Sequence, residues 1–326
     1  MIRRVLFFGT SEFAVPSLLA LLEAGYDLPV VVTQPDRPTG RHLRLQPTPV
    51  RRAAEERGLT VWTPEKVRRR EFLEQARSLS PEVIVVAAFG QILPQALLEM
   101  PSSGWAVNVH ASLLPKYRGA APIQHAILNG ETQTGVTIMQ MEATLDTGPV
   151  LAQRVCPILP EDDAGTLEAK LAQMGADLLI ETLRALEDGS VTPQPQDHAL
   201  ATYAPPITRE DSLIRWGETA HRTWCRVRAM SPRPGAGFLW QGRWVKLWKC
   251  VPLQEETNQS PGTVLRLEKG SVIVACGEGT VLNLLEVQPE SRPRMSAGDW
   301  HRGARLQVGH VLQDGLSTDP TSPTPT

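Results

Sequence analysis

The chain has 326 residues, of which 41% are hydrophobic, and a formal net charge of −2. This length favours two domains, and the composition is typical of a globular protein. No apolar run reaches the roughly 18 residues of a membrane span, and the apolar run after Arg4 has no small-residue cleavage site, so we expect neither a transmembrane helix nor a signal peptide.

The four cysteines are far apart in the sequence and form no Cys-x-x-Cys pair. They are Cys156, Cys225, Cys250 and Cys276. This spacing argues against a zinc site and against a disulfide framework. We therefore expect a protein of the reducing cytoplasm that holds no metal.

Strand and helix patterns alternate over residues 1–189. Strands are predicted at RVLFFGT, DLPVVVTQ, TVWT, PEVIVVAAFG, GWAVNVH, TGVTIMQM and PVLAQRVCPI, and helices at PSLLALLEAG, VRRAAEERG, EFLEQARSLS, ALLEMP, IQHAILNG and AGTLEAKLAQMGADLLIETLRALEDG. Continuously apolar strands between helices indicate an α/β domain, a Rossmann-like, mainly parallel sheet covered on both faces. The segment FFGTSEF follows the first strand but lacks G-x-G-x-x-G and G-K-[ST], which argues against dinucleotide binding.

The pattern changes after residue 189. Residues 190–206 are rich in proline and polar residues, which is typical of a linker. Residues 207–314 contain one helix pattern, WGETAHRTWCRVRAM, and short strand patterns separated by Gly and Pro turns. They favour a small β-barrel or sandwich, and we predict a smaller, OB-like β-barrel domain. The tail, residues 315–326, is predicted to be disordered.

Positive charge is concentrated in the second half of the chain. Between Arg209 and Lys249 there are nine basic residues and three acidic ones. A cationic region on a near-neutral protein is consistent with contact to a polyanion. An ordinary solvated surface explains the same count, so charge alone leaves both interpretations open.

The stretch NVHASLLPKYRGAAP, residues 108–122, combines an amide and an imidazole at the end of a predicted strand. Side chains alternate along a strand, so Asn108 and His110 share one face near its carboxyl end, where open α/β sheets bind ligands. Histidine can move a proton near neutral pH, and an amide can donate to an oxygen that gains negative charge. A capped strand end is the alternative interpretation. Asp146, in the turn LDTGP, could orient the histidine.

The central sequence NVHASLLPKYRGAAPIQHAILNGETQTGVTIMQM…LDTGPVL resembles the folate-dependent formyltransferases. Similarity to the branch that acts on initiator tRNA extends over roughly residues 3–312, through TQPDRPTGR, AAFGQILP, SPRPGA and PRMSAGDWHRG. The resemblance implies transfer of the formyl group of 10-formyltetrahydrofolate to methionyl initiator tRNA without a metal, and we expect the protein to be a monomer. It also implies recognition of initiator tRNA by an unpaired first position in the acceptor stem.

The resemblance assigns roles to residues of this chain. Asn108, His110 and Asp146 match the catalytic residues. The folate site matches Ser112, Leu113, Leu114 and Pro115, with Gln91, Ile92 and Leu93 beside the pterin. The tRNA-contacting loop, residues 35–50, contains Arg37, Arg41 and Arg44, and Arg41 matches the family's key arginine. From the positive charge of the second half, we add a C-terminal set of tRNA contacts: Arg226, Arg228, Lys246 and Lys249.

Two departures and several relatives bear on this assignment. The loop reads Gly-Arg-His-Leu-Arg at 40–44 where the family has Gly-Arg-Gly-Lys-Lys, and Arg233 replaces a common tryptophan. Glycinamide ribonucleotide formyltransferases and formyltetrahydrofolate hydrolases differ in domain content. A formyltransferase for a UDP-amino sugar is the main alternative, and an inactive RNA-binding protein on the same scaffold is another.

Overall fold

A computed structural model describes residues 2–39 and 44–315 of the chain. It divides into two units by internal contacts. Unit 1 comprises Met1–Pro122, Gln133–Pro157 and Leu167–Pro205, and unit 2 comprises Ile123–Thr132, Ile158–Thr166 and Pro206–Thr326. Arg41 and residues 316–326 of the predicted disordered tail lie outside the described residues.

The first 205 residues contain most of the predicted segments. The strands are β1 (Val5–Gly9), β2 (Val31–Val32), β3 (Arg37–Thr39), β4 (Arg44–Gln46), β5 (Val61–Trp62), β6 (Val83–Ala87), β7 (Trp105–His110), β8 (Arg118–Gly119), β9 (Gln133–Gln140), β10 (Val150–Pro157) and β11 (Tyr203–Ala204). The helices are α1 (Val15–Glu23), α2 (Pro49–Glu55), α3 (Arg70–Ser78), α4 (Gln95–Leu98), α5 (Pro122–Leu128) and α6 (Ala164–Glu187). The short pairs β3–β4 and β8–β11 were not predicted.

Seven strands of unit 1 form one sheet in the order β10-β9-β7-β6-β1-β2-β5. The pairs from β7 to β5 are parallel, whereas β9 is antiparallel to both β7 and β10. The mainly parallel sheet predicted for this part of the chain is confirmed. Its parallel strands bring their carboxyl ends to one edge, and β7 ends there at His110.

The buried strands of this sheet carry apolar side chains on both faces. On one face Phe8 makes edge-to-face contacts with Phe72 and Phe89, at centroid distances of 6.3 and 5.2 Å. On the other face, a Cβ added to Gly175 of α6 would lie 2.8 Å from a methyl carbon of Val109. The helix thus packs closely on that face of β7, and Asn108 and His110 point to the opposite face.

Unit 2 is built around an antiparallel sheet. Its elements are α7 (Ala220–Ala229), β12 (Ala236–Trp240), β13 (Arg243–Glu256), β14 (Val264–Leu267), β15 (Val272–Ala275), β16 (Thr280–Pro289), β17 (Met295–Ser296) and α8 (Ala297–Gly303). The strand order is β12-β13-β16-β15-β14, with β17 on β16. The strands confirm a C-terminal β domain, which is an antiparallel sheet, whereas α8 was not predicted.

Both edges of this sheet contact the same later segment. Leu239 of β12 exchanges backbone hydrogen bonds with Gln313, and Val264 of β14 donates to the carbonyl of His310. The paired strands themselves do not form a closed ring within the described residues. None of the helices described in either unit is both long and apolar enough to cross a membrane.

The aromatic contacts of Phe8 predict a large contribution to stability. Phe8 is fully buried. Phe8→Ala should lower the free energy of unfolding by about 3–5 kcal/mol, because it removes a buried ring and leaves a cavity. Urea denaturation measures this change. Val155→Ala, at a side chain that is 55% exposed, is the control and should change it by less than about 0.5 kcal/mol. Equal effects of the two substitutions would contradict the proposed packing.

Candidate active site

Strand β7 places the predicted pair at the carboxyl edge of the sheet. Asn108 lies between Val86 of β6 and Met139 of β9, and its side chain is half-buried. Within the described residues its amide group has no hydrogen-bond partner. The amide can therefore donate to a ligand oxygen without breaking a contact that the fold uses.

The imidazole of His110 is only 5% exposed and is held at one nitrogen. Its Nε2 lies 2.9 Å from the carbonyl oxygen of Tyr117. A carbonyl can only accept, so Nε2 carries the proton that is donated in this contact. In the neutral ring the lone pair is then on Nδ1, which lies 3.8 Å from Oδ2 of Asp146. That separation is longer than a direct hydrogen bond.

The carboxylate of Asp146 is fixed by the backbone of residues 117–119, which also contacts His110. Its Oδ2 accepts a hydrogen bond of 2.8 Å from the amide N–H of Gly119. Gly119 has a φ of +120°, and a Cβ there would lie 2.6 Å from the carbonyl oxygen of Ala204. Only glycine fits this position, because β8 and β11 approach so closely. Asp146 itself has a left-handed backbone, with a φ of +53°.

Two buried polar residues that the sequence analysis missed surround this loop. Arg118 is 2% exposed and donates through Nε and Nη2 to Oε1 of Gln196, at 3.2 and 2.7 Å. Gln196 donates in turn to the carbonyl oxygens of Asp146 and Gly148. Arg118 stood within the central motif as a signal. Gln196 gave none, because a glutamine in a proline-rich polar segment is typical of a solvated linker.

The predicted folate loop, Ser112 to Pro115, is held by side chains of the antiparallel strands. The hydroxyl of Thr137 donates to the carbonyl of Ser112 at 2.6 Å and accepts from the N–H of Leu114 at 3.2 Å. Gln153 donates to the carbonyl of Leu114 at 2.8 Å. Ser112 and Leu114 are buried, whereas Leu113 and Pro115 are partly exposed. The loop is therefore rigidly supported from β9 and β10.

The three residues predicted beside the pterin have different environments. Leu93 is 4% exposed and belongs to the core cluster around Phe8. Gln91 accepts a hydrogen bond from the N–H of Val67 and donates to the carbonyl of Pro64. Ile92 is 79% exposed. Of these three, Ile92 is therefore the apolar side chain that is most open to a ligand.

The arginines of the tRNA-contacting loop are only partly described. Arg37 lies in β3 and is exposed. Arg44 lies in β4, which pairs with β3 through the register Thr39 to Arg44. The position of Arg41 falls outside the described residues.

The four C-terminal cations differ in how far their charges are engaged. Arg226 is 8% exposed and donates to both carboxylate oxygens of Glu218 at 2.8 Å. Arg228 donates to two backbone carbonyls and stacks on Trp224. Lys246 donates to a backbone carbonyl. Lys249 has an exposed side chain.

The four cysteines have buried side chains. None of the four forms a disulfide within the described residues, and burial raises the pKa of the Cys276 thiol to about 12. Burial also raises the pKa of the Cys225 and Cys250 thiols, so the thiolate is disfavoured. Across residues 2–39 and 44–315, no group of three or more His, Cys, Asp or Glu side chains is arranged to hold a metal ion.

A separate cleft lies at the opposite edge of the sheet, among the residues that precede the parallel strands. Its lining includes Arg4, Asp27 and Glu82. Arg4 pairs with Asp27 at 3.0 Å, and the Glu82 carboxylate accepts from the backbone N–H of Arg4 at 2.9 Å. These charged groups are engaged with one another, and the cleft contains none of the predicted site residues.

Two solved structures of similar fold are 19% identical to this chain in sequence. An N-formyltransferase from Helicobacter canadensis, determined with folinic acid and dTDP-3-aminofucose, matches 87% of this chain and 99% of its own with a TM-score of 0.67 and 19% identity. HypX from Aquifex aeolicus with tetrahydrofolic acid covers 94% of this chain and 48% of its own, with a TM-score of 0.61 and 19% identity. At this identity the likeness concerns the fold.

Sequence relatives are much closer. Methionyl-tRNA formyltransferases from Halalkalibacterium halodurans and Geobacter metallireducens are 47% and 48% identical, over 96% and 94% of this chain and 99% and 97% of their own lengths. The Bacillus subtilis relative of the same name is 45% identical over 95% of this chain and 97% of its own. Residues 3–183 match the family described as Formyl transferase, and residues 206–305 match Formyl transferase, C-terminal domain. The chain therefore belongs to the formyl transferase family and groups within it with the methionyl-tRNA formyltransferases.

Proposed function

We propose that this protein transfers the formyl group of 10-formyltetrahydrofolate to the α-amine of methionine esterified to initiator tRNA. The observation that carries the chemistry is the unengaged amide of Asn108 two residues from the buried His110, with Asp146 3.8 Å from the ring. The acceptor is supported by relatives that share 44–48% identity over about 95% of the chain.

Asn108 and His110 divide the work of the transfer. The α-amine attacks the formyl carbon, and the carbonyl electrons move onto the formyl oxygen. The Asn108 amide donates to this oxygen as it becomes negative. Because Nε2 of His110 is engaged with Tyr117, Nδ1 is the ring nitrogen whose lone pair takes the proton from the attacking nitrogen.

Asp146 stabilises the charged ring that follows. Its carboxylate faces Nδ1 across 3.8 Å and is held in place by Gly119. The imidazolium then returns the proton from Nδ1 to N10 of the folate as the bond between N10 and the formyl carbon breaks. The transfer needs no oxidant or reductant, and His110 returns to its neutral form.

The folate donor fits the loop that ends β7. The supported backbone of Ser112 to Pro115 offers N–H and C=O groups at fixed positions, and Leu113 with Ile92 supplies apolar surface for a flat ring. Gln91 and Leu93 support Ile92 from either side in the chain, through hydrogen bonds to Val67 and Pro64 and through packing in the core. We assign no metal to the reaction, because an amide, an imidazole and a carboxylate supply its proton and charge steps.

We assign tRNA binding to two regions. Arg37, Arg41 and Arg44 of the tRNA-contacting loop position the acceptor end. Unit 2 supplies phosphate contacts through the exposed Lys249 and the partly exposed Arg228 and Lys246. The fourth predicted cation, Arg226, orders the surface through its contact with Glu218. We further propose that residues 309–313 close this unit into an OB-like barrel, and that the protein acts in the cytoplasm as a monomer.

Removing one of the three site residues should slow the chemical step. Asn108→Ala, His110→Ala and Asp146→Ala should each lower the single-turnover rate of formyl transfer about 10²-fold or more, the usual cost of losing one oxyanion or proton-transfer group. Rapid quench measures this rate. Asn258→Ala, at an exposed asparagine, is the control and should leave it unchanged. A His110→Ala rate near that of the unsubstituted protein would refute the assignment.

The acceptor can be identified by substrate comparison. Methionyl initiator tRNA should be formylated, and a strong first acceptor-stem pair should lower kcat/KM sharply, because the closed pair must be melted before the 3′ end bends into the site. Free methionine should not react. Efficient formylation of a UDP-amino sugar would move this chain to the sugar-modifying relatives.

The two tRNA-binding regions should differ in what they contribute. Lys249→Ala should weaken binding of initiator and elongator tRNA alike and reduce the slope of log K against log salt by about one. Arg41→Ala should lower kcat/KM for the initiator more than it weakens binding, because positioning acts as the amine approaches the formyl group. Filter binding and steady-state kinetics separate the two. Lys66→Ala removes one exposed positive charge and is the matched control. A loss of affinity alone for Arg41→Ala would reduce this arginine to a phosphate contact.

A further inference from the structure

We propose that Gln196 is a positioning residue for formyl transfer: it fixes the Asp146 carboxylate opposite His110 by hydrogen bonds to the backbone of the Asp146 loop. This inference rests on the proposed function, since it concerns the same reaction. Gln196 contacts neither the His110 ring nor the Asp146 carboxylate within the described residues, so its effect must pass through the backbone.

The side chain of Gln196 uses its full hydrogen-bonding capacity. It is 8% exposed, and Nε2 donates to the carbonyl oxygens of Asp146 and Gly148 at 2.9 and 2.7 Å. Oε1 accepts two hydrogen bonds from Arg118, at 3.2 and 2.7 Å. An amide has two donors and two acceptor lone pairs, so every one is engaged. A flipped amide would place two carbonyl oxygens against Oε1, which fixes its orientation.

Arg118 connects this amide to the other side of the site. Its guanidinium is 2% exposed, also contacts His198 at 3.0 Å and pairs with no carboxylate in the part of the chain described here. The two chain neighbours of Arg118 contact His110 and Asp146: the carbonyl of Tyr117 accepts from His110, and the N–H of Gly119 donates to Asp146. One amide therefore ties the loop of residues 117–119 to the loop of residues 146–148.

The backbone of Asp146 gives this tie a physical purpose. Asp146 has a φ of +53°, a left-handed conformation that costs free energy for a residue other than glycine. The hydrogen bond from Gln196 to its carbonyl holds the residue there. Without this bond the loop can relax, and the carboxylate moves relative to Nδ1 of His110. A shift of about 1 Å in a reacting group can cost roughly 10²-fold in rate.

Two substitutions test the tie while preserving the volume of the side chain. Gln196→Glu keeps acceptors for Arg118 but removes the N–H donors to Asp146 and Gly148, and Gln196→Met removes both sets. The matched control is Gln194→Ala. Gln194 is exposed, and its side chain donates only to the carbonyl of Thr192 at 3.3 Å. Melting temperature and binding of folinic acid, an unreactive reduced folate, establish that each variant folds and holds the donor site.

The kinetic readout distinguishes positioning from a structural role. Both Gln196 variants should lower kcat about 10²-fold, with the KM for each substrate within about threefold of the unsubstituted protein. In an Asp146→Asn background the same substitutions should add less than about threefold, because they act through the group already removed. An unchanged kcat, or a loss that multiplies fully with that of Asp146→Asn, would overturn the inference.

A spectroscopic measurement keeps the inference independent of the acceptor. The ring ¹⁵N resonances of His110 should shift in both Gln196 variants and stay in place in Gln194→Ala. Failure of the unsubstituted protein to formylate methionyl initiator tRNA would refute the proposed function, and the His110 resonances would still decide the role of Gln196. Unmoved resonances in Gln196→Glu would refute the tie between the two loops.

Discussion

The candidate site depends on how a buried carboxylate is held. Asp146 is 8% exposed, and a charge in such a place is costly unless hydrogen bonds replace its water. The backbone N–H of Gly119 supplies one of these bonds, and it can do so because glycine permits the left-handed turn against Ala204. The position of the carboxylate relative to His110 follows from this turn.

Other contacts of unit 1 fix the orientation of the side chains around this turn. β7 is buried between β6 and β9, and α6 packs on the Val109 face, so Asn108 and His110 are directed to the opposite face. The loop after His110 is then tied to β9 by Thr137 and to β10 by Gln153. The sheet determines the face to which Asn108 and His110 point, and the polar contacts determine the final positions of the side chains in the candidate site.

Asn108 differs from the other polar side chains described around the candidate site. Thr137, Gln153 and Gln196 all donate hydrogen bonds to carbonyl oxygens of the loop backbone. The Asn108 amide is half-buried and has no such contact among the described residues. The amide is therefore available to donate to a ligand, as the proposed function requires.

The sequence by itself determined the order of most elements, the mainly parallel sheet and the pairing of Asn108 with His110, because strand alternation and apolar periodicity are local properties of the chain. It also determined the family, because the central motif is contiguous. Only the tertiary structure decided that Leu93 is in the core while Ile92 is exposed, that Arg226 is engaged with Glu218, and that Gln196 contacts the Asp146 loop. Gln196 is 50 residues from Asp146, and hydrogen bonds over such separations follow from folding in three dimensions and leave no periodic trace in the sequence.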